Sequence, residues 1–575
     1  MRFGQLDLNP AVNPGVLDTG TWSSPSAWQA IQTANYDWLA AKQAATVRRP
    51  LPQSDRLKAH DPSVACRPEA VFFLASLPDT QDVFIRIGRE EPLALLGQPL
   101  GRSPLPSGDW LTVFPTDAAV LDRFCRQLKP EKGPRALGAT PRLGIGTRMT
   151  TAVWPAVFET MQRRSLAANA LQNSVRELSL LDDLLAGQPP EKNYSTGIGT
   201  IECGWTGSTY EGLWVAGVLA ALKWDGTLRY GTDADHLQVK RGPDGVAHAK
   251  RLVRAARHYS FYTLDMADIL DYAALNERSA SAAGALLEKG IPDGTERRGI
   301  VEYHTKPFQA GGVTCRLDPA AVGRFVGKYW ETLAVLGELA AYIASLKEEP
   351  QFDLELTIDE HPPEVAAFDC LTTNEEVLFL AREIRRRQLP VTHLAPNFGQ
   401  EKGCDYRCPD GLARLEQRVR AQQEIGSAFG LMLDVHSGDD LSAATRRVFG
   451  RATGGHLHFK VSPMLQLIFA EVLQEFHPEL FRRWWDDALA YARREAAQGS
   501  PVACECLAKL QTSSPPQPSP KHAVFHYFSF PYVGRRDARG QFLHRHEFYT
   551  LSPAFYRAHQ ARISAYLGEL ADDLF

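Results

Sequence analysis

Residues 412–438, LARLEQRVRAQQEIGSAFGLMLDVHSG, contain both of the structural periods on which the fold of this chain depends. Up to Gly430, apolar side chains recur every three or four positions, which is the period of an α-helix. LMLDV (431–435) is a short, nearly continuous apolar run, typical of a strand buried in a parallel sheet. The polar residue His436 follows it directly. The stretch therefore predicts one helix–strand unit with a titratable group at the end of the strand.

The same alternation recurs along residues 140–510. Strand-like runs that follow helical stretches are NSVREL (173–178), LRYGTDADHLQV (228–239), FYTLDMADIL (261–270), FDLELTIDEH (352–361), PVTHLAPNF (390–398), LMLDVHSG (431–438) and GHLHFKV (455–461). Helix–strand repetition predicts a parallel sheet, and six or more units favour a closed (β/α)8 barrel. Strand order is not readable at this stage, so a doubly wound α/β sheet remains the alternative.

The chain divides into three parts by composition. Residues 1–135 are rich in proline, glycine and polar turns, and we interpret them as an N-terminal elaboration around short strands. Residues 136–512 form the predicted TIM-barrel-like catalytic core. Residues 513–575 begin with the proline-rich SSPPQPSPK and form a short C-terminal extension, in which HAVFHYFSFPYVG (522–534) is predicted to be a strand.

The composition argues against several classes of protein. The 63 Lys and Arg against 67 Asp and Glu give a net charge of −4, so neither nucleic acid nor a membrane is expected as a partner. No apolar run reaches about eighteen residues, the length of a membrane-spanning helix. Nine cysteines without a signal-peptide pattern predict reduced thiols and a cytoplasmic location. Nucleotide-binding and serine-hydrolase motifs are not present in the sequence.

Titratable residues follow the strand-like runs, at the ends where an α/β barrel carries its active site. A ligand set for a first-row divalent metal is formed by His236, His436 and His458 with Asp359 or Glu360. Asp235 and Glu360 stand beside these ligands and are suited to proton transfer. A single histidine at a strand end is more often a hydrogen-bonded structural residue, but its repetition at several strand ends favours a metal site. His456 lies on the same face of its strand as His458 and is expected nearby.

Seven segments, in this order, resemble the tagaturonate epimerase family of metal-dependent ketohexuronate epimerases. They are RLGIGTRMTTAVWPAVF (142–158), QNSVREL (172–178), GTDADHLQVK (231–240), LTIDEH (356–361), VTHLAPNFGQEKGCDY (391–406), DVHSGDD (434–440) and TGGHLHFK (453–460). The resemblance covers about residues 140–510. His526 is a further match near the C-terminus.

The resemblance implies a barrel-like fold and the interconversion of D-tagaturonate and D-fructuronate, or of the neutral ketoses tagatose and fructose. It also implies a divalent metal (Zn, Mn, Ni or Fe) held by His236, His436 and His458, with Asp235 as proton acceptor and Glu360 as proton donor. Asp359 either completes the metal shell or exchanges roles with Glu360. Because the inverted carbon is not adjacent to the ketone, retro-aldol cleavage followed by aldol closure is the expected route.

Two positions depart from the family pattern. His361 follows Asp359 and Glu360 where the family usually has threonine, and Asn397 stands where the family tends to carry arginine. Loss of an arginine that binds a substrate carboxylate would favour a neutral ketose. The remaining candidates for substrate binding are Arg148, Arg176, Lys402, Lys460 and His456.

Two other functions remain open from the sequence. One is a different metal-dependent barrel isomerase or hydrolase acting on another sugar or amide. The other is a non-catalytic carbohydrate-binding homologue, which would have no need for an acid–base pair beside the histidines. In each case the partner is a small molecule, a ketohexuronate or ketohexose for the epimerase.

Overall fold

The structure is a computed structural model that describes most of the chain. The described residues are 2–3, 6–7, 24–78, 81–90, 95–148, 151–195, 199–277, 279–349, 351–359, 365, 367–401, 404–510, 517–537 and 541–575. Within these ranges, none of the helices has the length and apolar character needed to cross a membrane.

Eight parallel strands close into a barrel, as predicted. They are β1 (Arg142–Gly146), β2 (Ala167–Ser174), β3 (Tyr230–Gln238), β4 (Phe261–Asp265), β5 (Asp353–Thr357), β6 (His393–Ala395), β7 (Met432–Val435) and β8 (Leu457–Val461). Each strand pairs with the next along the chain, and β8 pairs with β1. A closed sheet has no edge strand, so the doubly wound alternative is excluded and the α/β-barrel prediction is confirmed.

One principal helix follows each strand and covers the outside of the barrel. These helices are α1 (Trp154–Arg164), α2 (Tyr210–Lys223), α3 (Pro243–Ala255), α4 (Pro319–Ser345), α5 (Asn374–Arg386), α6 (Gly411–Ala428), α7 (Ala443–Thr453) and α8 (Pro463–Phe476). Their inner faces and the outer faces of the strands share one large apolar core. Shorter insertions are the helices Leu181–Leu185, Ala280–Gly290 and Gly294–Thr305, and the paired strands Leu178–Ser179 with Ser208–Thr209, Lys192–Ser195 with Gly199–Glu202, and Phe308–Ala310 with Val313–Cys315.

The N-terminal region contains an antiparallel sheet that packs against the barrel helices. Its strands, in spatial order, are Lys58–Cys66, Ala70–Ser76, Asp82–Gly88, Trp110–Phe114 and Gly101–Pro104. One face of the sheet joins the barrel core, and the other packs on the helices Ser24–Gln32 and Trp38–Thr46. The helix Ala118–Leu128 and a short pair of strands, Arg2–Phe3 with Leu6–Asp7, complete this region. The domain boundary near residue 135 remains a prediction.

The C-terminal part is helical and has an apolar core of its own. Its helices are Pro478–Ala497, Pro501–Leu510, Ala523–Phe528 and Pro553–Leu574. The predicted strand at 522–534 is therefore wrong, because Val524, Phe525 and Phe528 lie on one helical face and are buried there. The side chain of His522 caps this helix by accepting a hydrogen bond from the Val524 amide at 3.1 Å.

A second correction concerns the strand predicted at NSVREL. The strand is Ala167–Ser174, and the helix before it ends at Arg164, where Ser165 takes a left-handed conformation with φ 51°. The letters AANALQNS favour a helix by intrinsic propensity. All eight residues are buried, and this stretch supplies the strand that closes the barrel between β1 and β3. Tertiary packing therefore outweighs local propensity at this position.

A buried ion pair crosses the N-terminal end of the barrel. Arg142 Nη1 lies 2.9 Å from Asp353 Oδ2, and both side chains are almost wholly inaccessible to solvent. Arg142 Nε also donates to the carbonyl of Thr140 at 3.0 Å. Asp353 accepts the backbone amides of Leu137 and Gly138 at 2.9 and 3.0 Å. The pair thus ties β1, β5 and the segment before β1 together.

We predict that Arg142→Met lowers the free energy of unfolding by about 3–5 kcal/mol, because it leaves the Asp353 carboxylate buried without its counter-charge. Urea unfolding followed by circular dichroism measures the change. Arg163→Met is the control, since Arg163 is exposed on α1 and its loss should cost no more than about 0.5 kcal/mol. Equal effects of the two substitutions would contradict the structural role of Arg142.

Candidate active site

A cleft of about 160 Å³ opens at the carboxyl ends of the barrel strands. Six of the residues predicted from the sequence line it: Arg148, Arg176, Asp235, His236, His436 and Lys460. Trp205 and Phe530 form part of its wall, with ring centroids 4.4 Å apart. A larger cavity of about 700 Å³ also touches these two aromatic residues, and none of the predicted residues is among those described as lining it. The predicted chemistry therefore belongs to the smaller cleft.

The side chains of His236 and His436 meet in this cleft. Their ring centroids are 4.8 Å apart. His236 Nδ1 lies 3.4 Å from Asp265 Oδ2. His436 Nε2 lies 2.7 Å from Glu355 Oε1, and its Nδ1 lies 3.0 Å from Asp359 Oδ2. Each imidazole therefore has a carboxylate that fixes the orientation of its ring.

Backbone strain accompanies both histidines. His236 has φ 48°, in the left-handed region, at a bulge where the register of β3 shifts between Ala234 and Leu237. Ser437, directly after His436, has φ 53°. Left-handed backbone is unfavourable for residues other than glycine, and such strain is concentrated at functional sites. One strained residue is His236 itself and the other adjoins His436, and both histidines line the cleft.

The charges around His436 favour its protonated form when no metal is bound. Burial lowers its pKa, but the nearby carboxylates of Asp359 and Glu355 outweigh burial and raise the pKa to about 10. For His236, burial likewise lowers the pKa, and the carboxylates of Asp235 and Asp265 raise it above its ordinary value. A concentration of negative charge at two imidazoles is an environment that also attracts a metal cation.

Lys460 holds together the carboxylates beneath the cleft. Its Nζ lies 2.6 Å from Glu355 Oε2, 2.9 Å from Asp235 Oδ1 and 3.2 Å from Asp233 Oδ2, and it donates to Thr263 Oγ1 at 2.7 Å. Burial opposes the charged amine, but the carboxylates hold the Lys460 pKa well above its ordinary value. Burial raises the pKa of Asp235, yet Lys460 and the two histidines bring it below its usual range. Asp235 is therefore ionised at neutral pH and is able to accept a proton.

The structure separates His458 from the other two predicted metal ligands. His458 is fully buried within the barrel, two residues before Lys460 on β8, and its Nδ1 lies 2.8 Å from Asp434 Oδ2. With His393 and Asp434 it forms a second group of ligand atoms, all within 4.8 Å of one another. Both ring nitrogens of His393 already have partners, Thr392 Oγ1 at 2.7 Å and the Arg142 guanidinium at 3.3 Å. A guanidinium at that distance fits a hydrogen-bonded network better than a bound cation.

A different donor set, His236 and His436 with Asp359, lies at the cleft, although within the described part of the chain it is His393, Asp434 and His458 whose ligand atoms all lie within 4.8 Å of one another. Asp359 Oδ1 is buried and has no hydrogen-bond partner among the described residues, while Asp359 Oδ2 lies 3.0 Å from His436 Nδ1. Two imidazoles and one carboxylate make a nitrogen and oxygen donor set suited to first-row divalent ions. The two histidines line the cleft and the Asp359 side chain is partly exposed, so all three border solvent-accessible space, as ligands of a catalytic metal must.

The remaining predicted residues have distinct positions. Arg148 Nε donates to Glu177 Oε1 and to Ser462 Oγ, each at 2.9 Å. Arg176 lines the cleft half-buried, and the described part of the chain gives its guanidinium no ion-pair partner. His456 is exposed and precedes β8, at the end of the barrel opposite the cleft, so the structure does not bring it to the site. Glu360 and Lys402 lie outside the described residues.

Asn397, where the resemblance leads us to expect arginine, is a structural residue. Its amide donates to the carbonyls of Ala367 and Cys370 at 2.9 and 3.1 Å, and its Oδ1 accepts the Gly399 amide at 2.8 Å. The side chain is buried and holds the loops after β5 and β6 together.

Sequence analysis missed several residues of the site. Glu355, Asp233 and Glu177 line the cleft or contact the residues that do. Glu355 had a readable signal, since a carboxylate inside the apolar run LELTI is costly unless it is paired. His526, which the resemblance to the family had marked, lines the cleft from a helix of the C-terminal part that was predicted to be a strand.

We predict that Lys460→Met lowers the free energy of unfolding by about 3–5 kcal/mol at pH 7.5, because the buried carboxylates of Asp233 and Glu355 lose their counter-charge. Without the amine their folded-state pKa values rise above the unfolded ones, so the penalty shrinks as the pH falls and these groups take up protons. Urea unfolding at pH 7.5 and 5.5 should therefore show a smaller deficit at the lower pH. Lys250→Met, which removes a more exposed pair with Glu338, is the control with little change. A deficit that does not depend on pH would contradict this account.

Comparisons with known proteins identify the family. The model of the tagaturonate epimerase family matches residues 201–506. The tagaturonate/fructuronate epimerase of Thermotoga maritima is 29% identical over 380 residues, which cover 63% of this chain and 65% of that protein. This chain therefore spans about two-thirds of the length of that relative.

Solved structures share the fold. The native fructuronate–tagaturonate epimerase of Cohnella laeviribosi superposes with a TM-score of 0.63 at 20% identity, over 90% of this chain and 97% of that one. A crystal structure of the same enzyme with two glycerols gives a TM-score of 0.64 at 19% identity, over 96% and 99% of the two chains. The barrel, the cleft with its paired histidines, and a family model that spans more than half of the sequence lead to one conclusion: this chain belongs to the tagaturonate epimerase family.

Proposed function

We propose that this chain is a metal-dependent epimerase that interconverts D-tagaturonate and D-fructuronate by retro-aldol cleavage and aldol closure. The observation that carries the proposal is the arrangement in the cleft. Asp235, ionised by its pairing with Lys460, stands beside two imidazoles whose rings are 4.8 Å apart. Membership of the family supplies the substrate class.

The chemistry explains why such a base is needed. The two sugars differ at C4, whereas the ketone is at C2, so removal of a proton next to the ketone cannot invert the required centre. Asp235 accepts the proton of the C4 hydroxyl, the C3–C4 bond breaks, and its electrons form the enediolate of the C1–C3 half while C4 becomes an aldehyde. The aldehyde turns over, the bond re-forms on its other face, and Glu360 protonates the new alkoxide. Proton exchange with water then returns Asp235 and Glu360 to their starting states.

A divalent cation, when bound, supplies Lewis-acid stabilisation of the developing negative charge. We assign its ligation to His236, His436 and Asp359, with Zn, Mn, Ni and Fe as the candidate ions. His458 belongs to the deeper network with Asp434 and His393 in this assignment. Glu360 remains the proposed proton donor from the sequence, next to Asp359.

The proposed setting is the cytoplasm, where the partner is a small sugar acid. All nine cysteines are free thiols, which is typical of a reducing compartment. None of them forms a disulfide within the described regions.

We predict that removing the metal with EDTA abolishes epimerisation of D-tagaturonate, and that adding back a divalent ion restores it, because the enediolate loses its stabilisation. Carbon-13 NMR follows the two sugars, and elemental analysis measures bound metal. His436→Ala should lose the metal. His458→Gln should retain it, since we place His458 outside the ligand set. Metal loss in His458→Gln alone would reverse the assignment, and full activity in EDTA would exclude metal dependence.

We predict that Asp235→Asn lowers kcat by about 10²–10⁴-fold while bound metal stays at the wild-type level, because the amide cannot accept the C4 hydroxyl proton. Initial rates by NMR and elemental analysis give the two quantities. Asp183→Asn, on the outside of the barrel in a partly exposed pair with Arg251, is the matched control and should retain wild-type activity. An Asp235→Asn protein with near-normal kcat would remove Asp235 from the reaction.

A further inference from the structure

Among the described residues, two arginines and a lysine line the cleft, and they differ in how their charges are balanced. Arg148 is paired with Glu177 at 2.9 Å. Lys460 contacts three carboxylates and a threonine hydroxyl, so its donors are fully used. Arg176 lines the same cleft, and among the described residues no carboxylate lies within ion-pair distance of it. Arg176 therefore has a guanidinium available for an external anion.

Arg176 also has a defined position relative to the proposed base. Ser174, the last residue of β2, is in register with Asp235 on β3. Arg176 follows two residues later, in the turn above β2 that Glu177 closes by accepting the Ser174 amide at 2.9 Å. Arg176 thus follows β2, Asp235 and His236 stand on the neighbouring strand β3, and the ring of His436, which follows β7, contacts that of His236.

This arrangement matches the order of functional groups in a ketohexuronate. The carboxylate is C6, the hydroxyl that must lose its proton is on C4, and the ketone is C2. With the C4 hydroxyl at Asp235 and the ketone towards the two histidines, the carboxylate is directed to the side on which Arg176 stands. A planar guanidinium is the side chain best suited to bind a carboxylate through two parallel hydrogen bonds.

We propose that Arg176 binds the C6 carboxylate of the substrate, selects uronates over neutral ketoses, and retains the aldehyde fragment between cleavage and closure. The third part rests on the proposed retro-aldol function, whereas the first two require only that the cleft binds the sugar.

Retention follows from the way the bond breaks. Cleavage of C3–C4 leaves the C1–C3 enediolate and a separate three-carbon aldehyde, 2-hydroxy-3-oxopropanoate, which carries the carboxylate. Held at C6, this aldehyde is free to turn about the C4–C5 bond and present its other face, but it does not diffuse away. Atoms and electrons balance without an oxidant, because Asp235 takes the C4 hydroxyl proton on cleavage and Glu360 gives one proton to the new alkoxide on closure. An untethered aldehyde would be lost, and the protein would act as an aldolase.

Arg176 also resolves the question raised by Asn397. The absence of arginine at position 397 suggested a preference for a neutral sugar. Asn397 is committed to holding two loops together, whereas Arg176 offers a cation inside the cleft itself. Uronate recognition therefore does not require an arginine at position 397.

The first experiment measures binding to the metal-loaded full-length protein. Calorimetric titrations with D-tagaturonate and with neutral D-tagatose are made on wild type, Arg176→Met and the control Arg163→Met, which alters an exposed arginine on α1. Wild type and the control should bind the uronate about 10–100-fold more tightly than tagatose, and Arg176→Met should lose that preference while binding tagatose as before. Equal affinity of wild type for both sugars, or an unchanged preference in Arg176→Met, would overturn the proposal. Urea unfolding of the variants identifies any general loss of fold.

The second experiment tests retention of the aldehyde. Each protein turns over D-tagaturonate in the presence of phenylhydrazine, and mass spectrometry quantifies the trapped three-carbon aldehyde per epimerisation. We expect at least a tenfold rise in Arg176→Met and none in Arg163→Met. An unchanged ratio would overturn the role in retention. If wild type turns over neither sugar, the proposed function fails, and the binding preference still decides whether Arg176 recognises the carboxylate.

Discussion

The buried amine of Lys460 is the interaction on which the site depends. Asp233, Asp235 and Glu355 project from β3 and β5 into the barrel, where three carboxylates without a counter-charge would be strongly unfavourable. Even with the amine present, burial raises the pKa of Asp233 to about 7. Asp235, closer to the amine and to the histidines, stays ionised. Lys460 therefore keeps Asp235 charged next to the cleft, while the neighbouring Asp233 has a pKa close to neutral pH.

The same amine links the proposed base to the proposed metal ligands. Glu355 contacts Lys460 through Oε2 and His436 through Oε1. The orientation of the imidazole therefore depends on Lys460 of β8, the strand that pairs with β7. Below this level, Arg142, Asp353, His393, Asp434 and His458 form a second polar layer that is closed to solvent. A TIM barrel usually fills its interior with branched apolar side chains. Here much of the interior is an ionic network whose upper layer opens into the cleft.

The fold was largely readable from the sequence because its signals are local. Helical periods and buried apolar runs identified the α/β alternation, and closure followed from the number of units. The two errors arose where tertiary context overrode intrinsic propensity. Ala167–Ser174 has a helix-favouring composition but is the strand that completes the barrel, and the aromatic segment at 523–528 has strand-like letters but packs as a helix on the C-terminal core.

The sequence by itself determined the fold class, the family and the residues Asp235, His236 and His436, because strand ends in a barrel converge whatever the details of packing. The tertiary structure decided which residues share a site. His456 and His458 follow the same rule of alternation, but His456 lies beyond the opposite end of the strand, and His458 lies one layer deeper, grouped with His393 and Asp434. Likewise, the sequence alone does not distinguish Arg148, Arg176 and Lys460 as candidates for substrate binding. Closure of the barrel brings four carboxylates close to two of these cations. Glu177 pairs with Arg148, and Asp233, Asp235 and Glu355 pair with Lys460, whereas Arg176 has no such partner among the described residues.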